Sequence, residues 1–327
     1  MRGRAIFRCV GAKRHQAVGL VDDDEVNGRG GEHQRGTSGH REPRVAGEGG
    51  DCSAAAHVDR ARRRDRLSRP ALVSADMHRA PFLALAAAAA AVPAEAACRE
   101  ETAGAARYAV CEFNPASNDI RLFLNGPDGA PLGEFARVED ALRANGETLL
   151  FAMNAGMYHR DRSPVGLYVE DRVQLKKAST KDGPGNFHLK PNGVFWISEA
   201  KEEGSPRLAI VETTDSFLAG AHNIRYATQS GPMLVIDGAL HPKFLPHSTS
   251  FKRRNGVGVR EDGTVVFAIS DTAVTFDQFA AYFRDVLNCP NALYLDGAIS
   301  RLYAPEIGRD EQGLPLGPIV GVVATAR

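Results

Sequence analysis

The chain has 327 residues with 40 basic and 40 acidic side chains, so its formal net charge is zero. Fifteen of the basic and eleven of the acidic residues lie in residues 1–76, which leaves the rest of the chain mildly acidic. Proteins that bind nucleic acids need clustered positive charge, so we expect no nucleic-acid partner.

The first 76 residues differ in composition from the rest. They contain one aromatic residue, Phe7, together with 14 Arg and 11 Gly. Such a stretch cannot bury enough apolar surface to offset the entropy lost on ordering. We therefore interpret residues 1–76 as disordered, and as upstream DNA translated from a misplaced start codon.

Residues 77–96 have the order of parts found in a secretory signal peptide. A short basic start precedes the apolar run Pro81–Val92, and Ala94–Ala96 gives the small-x-small pattern of a cleavage site. The run is too short to span a bilayer, so we expect a periplasmic or secreted protein with no stable membrane insertion after cleavage. An Ala-rich linker helix and a lipoprotein anchored at Cys98 are the alternatives.

The mature chain would begin at about Ala97 and keep three of the five cysteines. In an oxidising compartment the close pair Cys98 and Cys111 predicts a disulfide that ties the mature N-terminus to the first strand. Cys289 would then be a free thiol, and we expect it to be a small buried hydrophobic residue at a helix end.

The pattern of apolar residues predicts a single α+β domain over residues 97–327, with a mixed, largely antiparallel sheet system packed by two main helices. One helix is expected over 137–145; the other begins at Thr275, forms a capping box with Gln278 and ends before Pro290. Segments of strand character are 107–113, 119–124, 148–153, 165–169, 193–197, 208–211, 264–269, 292–295 and 319–323.

Small and polar residues concentrate beside these strands in six segments. The segments are 153–158, 188–193, 229–232, 252–258, 295–300 and 315–318. None matches a dinucleotide fingerprint, a phosphate-binding loop or a nucleophile elbow, and no spacing suggests a zinc site. We expect no cofactor, with a divalent cation such as calcium left open.

Taken together, the segments resemble the phosphodiester glycosidase family, which has bacterial members and a lysosomal member that uncovers mannose 6-phosphate. The pieces that carry the resemblance are Asn154-Ala155-Gly156, Asn192-Gly193, Ser230-Gly231-Pro232, Arg254–Gly258 and Leu295-Asp296-Gly297. The resemblance extends from about Tyr108 to Val323. Ala298 and Ile299 depart from the lysosomal pattern, in which glycines precede the serine that corresponds to Ser300.

The resemblance implies a hydrolase that releases a sugar from a sugar-1-phosphodiester, acting on a carbohydrate phosphodiester or polysaccharide. Asp296 would be the nucleophile or base, and Arg254 would offer a planar fork to the phosphate. His188 is a further acid or base candidate. Candidate substrate-binding residues are Asn154, Gly156, Lys190, Asn192, Ser230, Gly231, Gly297 and Ser300. If the hypothesis holds, Arg254, Asp296, Asn154 and Asn192 line one cleft.

Other interpretations of the same residues stay open. Asn-Gly and Asp-Gly pairs are strong hairpin-turn signals, so Asn192, Asn255 and Asp296 would then mark turns only. Lys252-Arg253-Arg254 would be a solvated run of charge. A non-catalytic glycan-binding or exopolysaccharide assembly protein could use the same fold, and hydrolysis could occur at phosphorus instead of the sugar carbon.

Overall fold

The computed structural model describes residues 97–202, 205–297 and 299–325. The expected disordered segment 1–76 and signal segment 77–96 lie outside the described residues. In chain order, the described strands are β1 (Cys98–Ala103), β2 (Ala106–Phe113), β3 (Asp119–Phe123), β4 (Glu147–Asn154), β5 (Tyr168–Glu170), β6 (Val173–Lys176), β7 (Gly193–Ser198), β8 (Ala209–Thr213), β9 (Ile224–Ser230), β10 (Met233–Ile236), β11 (Ala239–Leu240), β12 (Asn255–Val259), β13 (Val265–Ser270), β14 (Asn291–Asp296), β15 (Leu302–Ala304), β16 (Arg309–Asp310) and β17 (Ile319–Thr325). The α-helices are α1 (Phe135–Arg143), α2 (Thr214–Ala219) and α3 (Phe276–Ala281).

The strands form three antiparallel sheets. The first has the order β1-β2-β13-β12-β14-β10-β11, the second β16-β15-β4-β17-β3, and the third β6-β5-β9-β7-β8. All three contribute side chains to one central core. Phe151 in the second sheet and Phe195 in the third both contact Phe267 in the first, with ring centroids 5.0 and 5.9 Å apart. The sheets therefore pack around a shared apolar centre.

A short helix covers the outer face of each sheet. Phe135 and Val138 of α1 pack with the second sheet, and Phe217 of α2 packs with Trp196 of the third. Phe279 of α3 packs on the first sheet. The predicted α+β class with a largely antiparallel sheet system is confirmed, and α2 is an additional helix that sequence analysis missed.

Helix α3 begins at the expected capping box, in which Thr275 and Gln278 each accept a hydrogen bond from the other's backbone N–H. It then continues as a π-helical turn, Tyr282–Val286. The wider turn shifts the apolar stripe, and Val286 at its end is 48% exposed.

The predicted disulfide is confirmed. Cys98 and Cys111 lie opposite each other in the β1–β2 hairpin and form a bridge, with Cα atoms 4.0 Å apart. The Cys98 sulfur is bonded to Cys111 in this bridge, which favours the disulfide over lipid attachment at Cys98. Cys289 is a free, buried thiol, and burial raises its pKa to about 12.

Within the described residues, the helices are all too short or too polar to cross a membrane.

Candidate functional site

Strand ends from all three sheets meet at one place. Strand β4 ends at Asn154, β9 at Ser230 and β14 at Asp296, and β12 begins at Asn255. Asn255 is the register partner of Asp296. The Ser230 hydroxyl donates to the carbonyl of Leu295 at 2.9 Å, which joins the third sheet to the first. We call the group Asn154, Asn255, Asp296 and Ser300 the junction cluster.

The side chain of Asn255 is the centre of this cluster. Its amide Nδ2 donates to the backbone carbonyl of Asn154 at 2.9 Å and to the side-chain Oδ1 of Asn154 at 3.2 Å. Its Oδ1 accepts the backbone N–H of Asp296 at 2.8 Å and the Ser300 hydroxyl at 3.2 Å. Asn255 is fully buried. One amide side chain therefore fixes the relative positions of β4, β14 and the loop after β14.

Asn154 carries a buried donor that the protein leaves unsatisfied. Its Oδ1 accepts the backbone N–H of Arg301 at 3.0 Å as well as the Asn255 amide. Its Nδ2 is buried and has no hydrogen-bond partner within the described part of the chain. Buried polar groups are almost always paired, so an exception suggests that a ligand or water completes the site. This amide could donate to a sugar oxygen.

Asp296 lies at the end of β14 with 7% of its surface exposed. Its Oδ1 accepts the backbone N–H of Gly297 at 2.7 Å. The Ser300 hydroxyl lies 2.7 Å from the Gly297 carbonyl and holds the turn closed. A side chain at residue 297 would begin 2.4 Å from the hydroxyl of the buried Tyr294, so a larger residue there would displace that ring. The carboxylate is thus held in a fixed orientation.

Tyr158 is buried in the loop after β4. Its ring packs against Gly317, where an added Cβ would lie 2.3 Å from the ring. Burial and the negative charge of Asp296 both raise the pKa of Tyr158. The hydroxyl therefore stays protonated at neutral pH, and it donates to the Pro315 carbonyl at 3.5 Å.

Hydrogen bonds and ring contacts within the protein fix the Arg254 side chain. Its side chain is 1% exposed, Nε donates to the Val274 carbonyl at 2.9 Å, and Nη2 donates to the Ser250 carbonyl at 3.0 Å. The guanidinium carbon lies 3.6 Å from the Phe276 ring centre and 5.7 Å from that of Tyr294. The fixed cation lies near the end of β14. Its predicted role as a phosphate ligand stays a prediction.

Asn192 and two of the candidate substrate-binding glycines, Gly156 and Gly231, lie where segments of the chain pack closely together. The Asn192 amide donates to the Phe187 carbonyl at 2.9 Å. An added Cβ on Gly231 would lie 2.7 Å from that of Asn192, and one on Gly156 would lie 2.4 Å from the Thr228 hydroxyl. These contacts hold the loop before β7 and the turn after β4 against β9.

His188 and Lys190 bind their own loop. His188 Nδ1 lies 3.0 Å from the Lys181 carbonyl. The Lys190 ammonium donates to the Thr180 carbonyl at 2.6 Å and forms an ion pair with Asp182 at 2.7 Å. Neither side chain hydrogen-bonds to the junction cluster among the described residues. Their predicted roles in catalysis and substrate binding stay predictions.

The alternative interpretations of the motifs fare differently. Strand β7 begins at Gly193 and strand β12 at Asn255, so these two pairs are not hairpin turns, whereas Asp296 ends β14 and Gly297 starts the turn after it. The solvated-run interpretation fails for Arg254, which is buried. Its neighbour Arg253 donates to the Ser300 carbonyl at 3.0 Å and pairs with Glu311 at 2.7 Å, which anchors the turn after β14.

Sequence reasoning did not select Gln229 as a functional residue. Its Oε1 accepts the backbone N–H groups of Leu167 and Ser179, and its Nε2 donates to the Ser179 carbonyl and to the Thr214 hydroxyl. It therefore attaches the long loop after β6 to the third sheet. Asn255 and Tyr158 were also not selected, although both stand in the segments that carry the family resemblance.

Among the described residues, the His, Cys, Asp and Glu side chains form no group of three or more that could hold a metal ion. The junction cluster offers one carboxylate, several amides, hydroxyls and a nearby cation. This set can bind a polar ligand through hydrogen bonds and can place one carboxylate against it.

Comparison with known proteins identifies the family. A sequence profile of the phosphodiester glycosidase family matches residues 147–314. The uncharacterized protein YigE of Escherichia coli K12 is 35% identical over 190 residues, which is 58% of this chain and 71% of that protein. The chain belongs to the phosphodiester glycosidase family. At the family level it is a glycosidase-type hydrolase with a carbohydrate-type substrate.

Solved structures with similar folds include the zebrafish N-acetylglucosamine-1-phosphodiester alpha-N-acetylglucosaminidase catalytic domain, described as auto-inhibited by its pro-peptide. It is 13% identical, with 69% of this chain and 81% of that chain covered and a TM-score of 0.48. A hypothetical protein from Synechocystis is 14% identical over 69% of this chain and 61% of that chain, with a TM-score of 0.42.

Proposed function

We propose that this protein hydrolyses the bond between a sugar and phosphate in a sugar-1-phosphodiester. The observation that carries the proposal is the junction cluster, in which Asp296 and the unsatisfied amide of Asn154 are held together by Asn255. The family match supports the reaction class.

One carboxylate is enough for this chemistry. Ordinary glycosidases use two carboxylates because the leaving alcohol must be protonated. A phosphate monoester is a weakly basic leaving group, so it departs with the electron pair of the bond without full protonation. Asp296 either bonds to the sugar carbon as that bond breaks, with water cleaving the resulting ester, or takes a proton from the water that attacks.

The surrounding donors would position the sugar. The free Nδ2 of Asn154 would donate to a sugar hydroxyl or to an acetamido oxygen, and the protonated Tyr158 hydroxyl would be a second donor. Arg254 would contribute its fixed positive charge near the end of β14.

We place this activity in the periplasm or outside the cell, in a polysaccharide or glycoconjugate context. The Cys98–Cys111 disulfide supports this, because such bridges persist in oxidising compartments. The sequence pattern of a signal peptide at residues 77–96 supports the same location.

The test is turnover of a panel of sugar-1-phosphodiesters by the purified protein, with release of the free sugar as the measurement. Reaction in ¹⁸O-labelled water identifies the bond that breaks. The proposal expects the label in the sugar; label in the phosphate would mean hydrolysis at phosphorus. Binding of these compounds without turnover would instead favour a glycan-binding or assembly protein.

A further inference from the structure

The loop after β4 folds into a tight turn next to the junction cluster. The backbone N–H of Val165 donates to the Met157 carbonyl at 3.0 Å, and that of His159 donates to the Ser163 carbonyl at 2.8 Å. Within this loop, the N–H of Arg162 donates to the His159 carbonyl at 2.8 Å. Arg162 has a φ of 72°, a left-handed conformation that is uncommon for a residue with a side chain. These bonds hold the backbone of Arg162 in one place.

The Arg162 side chain points back over Tyr158. Its guanidinium carbon lies 5.7 Å from the centre of the Tyr158 ring. Among the residues that the structure describes, its side chain makes one hydrogen bond, from Nη1 to the Arg160 carbonyl at 3.3 Å. It forms no ion pair with a carboxylate in 97–202, 205–297 or 299–325, although it is only partly exposed. Most of its donors are therefore available to a ligand.

The charges of Arg162 and Asp296 have opposite effects on the pKa of Tyr158. The charge of Asp296 raises the pKa of Tyr158, and the charge of Arg162 lowers it. Tyr158 packs against Gly317, and Ile319, two residues further on, is the register partner of Asn154 in the junction cluster. Arg162 therefore lies over a ring that packs beside the strand end that carries Asn154.

We propose that Arg162 binds the phosphate group of the substrate and stabilises it as it leaves. The inference rests on the proposed function and names the phosphate-side residue of the same site. Two donors of the Arg254 guanidinium are bound to backbone carbonyls, and one face of it packs on the Phe276 ring. The Arg162 guanidinium, in contrast, can form a bidentate contact with phosphate oxygens.

The chemistry favours a cation at this position. A sugar-1-phosphodiester carries one negative charge, and the phosphate monoester released when the sugar–oxygen bond breaks carries up to two. A guanidinium beside the departing oxygens therefore interacts more strongly with the transition state than with the bound substrate. Arg162 should accordingly affect kcat as well as substrate binding.

The experiment compares the full-length protein with Arg162→Gln, Arg162→Lys and the control Arg160→Gln. Arg160 lies in the same loop and is exposed, and no described contact joins its side chain to Tyr158. We expect Arg162→Gln to lower kcat/KM for a sugar-1-phosphodiester about 100-fold, with Arg162→Lys intermediate and Arg160→Gln within about twofold of wild type. Similar kcat/KM for Arg162→Gln and wild type would overturn the assignment.

A binding measurement decides the matter even if no substrate is turned over. Dimethyl phosphate and inorganic phosphate are titrated against each protein, and binding is followed by the ³¹P NMR linewidth. The inference expects wild type and Arg160→Gln to bind and Arg162→Gln to bind at least about 10-fold more weakly. Equal phosphate binding by Arg162→Gln and wild type, or none by wild type, would overturn it. Phosphate binding that depends on Arg162 without turnover would contradict only the proposed hydrolysis.

Discussion

Asn255 and Asp296 face each other on neighbouring strands, and the Asn255 side chain accepts the backbone N–H of Asp296 at 2.8 Å. The same side chain binds both the carbonyl and the side chain of Asn154. The candidate carboxylate is therefore positioned by a buried amide that reaches across two sheets. Such an arrangement keeps the carboxylate in one orientation without ordering a mobile loop.

Removing this amide should affect both folding and function. Asn255→Ala leaves the Asp296 N–H without its acceptor and the Asn154 carbonyl without the amide donor, both in a buried place, whereas the Ser300 hydroxyl keeps the Gly297 carbonyl. At about 1–3 kcal/mol for each unsatisfied group, partly offset by water entry, we expect the free energy of unfolding to fall by about 3 kcal/mol in urea titrations. Asn118→Ala is the control, because Asn118 accepts one exposed backbone bond, and a loss of about 1 kcal/mol or less is expected. Equal losses in the two variants would contradict the central role of Asn255.

The disulfide should contribute measurably to stability. Cys98 and Cys111 are 13 residues apart, and closing a loop of this size restricts the unfolded chain by about 3 kcal/mol in the chain-entropy description. Dithiothreitol should therefore lower the free energy of unfolding by roughly this amount. In a Cys98→Ser/Cys111→Ser double variant, the reductant should have no effect. An unchanged urea midpoint for the reduced wild type would show that the bridge adds nothing.

His241 should make the protein sensitive to mild acid. Burial and the charge of Lys243 lower its pKa to about 4, from an ordinary value of 6.5. Because the unfolded chain takes up the proton first, the contribution of neutral His241 is complete above about pH 6.5. It is lost as the pH falls toward 4. Between pH 7 and 4.5 wild type should lose about 2 kcal/mol more than His241→Gln does. Parallel stability curves for the two proteins would be evidence against a buried neutral histidine.

Local patterns were sufficient to predict most individual strands and the start of α3. Alternating apolar residues and the Thr275–Gln278 box act within a few neighbouring residues, so they can be recognised without a structure. Helix α2 has only six residues in a polar Thr-rich stretch and was not recognised. The packing of three sheets around Phe267 was also not predicted, because it depends on contacts between distant segments.

The residues of the candidate site were likewise predicted only in part. The family resemblance selected Asn154, Asp296 and Ser300, and the structure brings these three residues together. It could not show that Arg254 is stacked on Phe276, 22 residues further along the chain. Nor does any local pattern indicate that Arg162 folds back over Tyr158, since that contact depends on the course of one loop.

The most direct test of the central claim is the turnover number of Asp296→Asn on a sugar-1-phosphodiester that wild type cleaves. The asparagine keeps the oxygen that accepts the Gly297 N–H, so folding should be little changed, and thermal unfolding measures this. The account predicts that kcat falls by at least about 1000-fold, because an amide can neither attack the sugar carbon nor take a proton from water. The control Asp215→Asn, at an exposed acid in the first turn of α2, should keep the wild-type rate. A folded Asp296→Asn protein that turns over substrate at the wild-type rate would contradict the account.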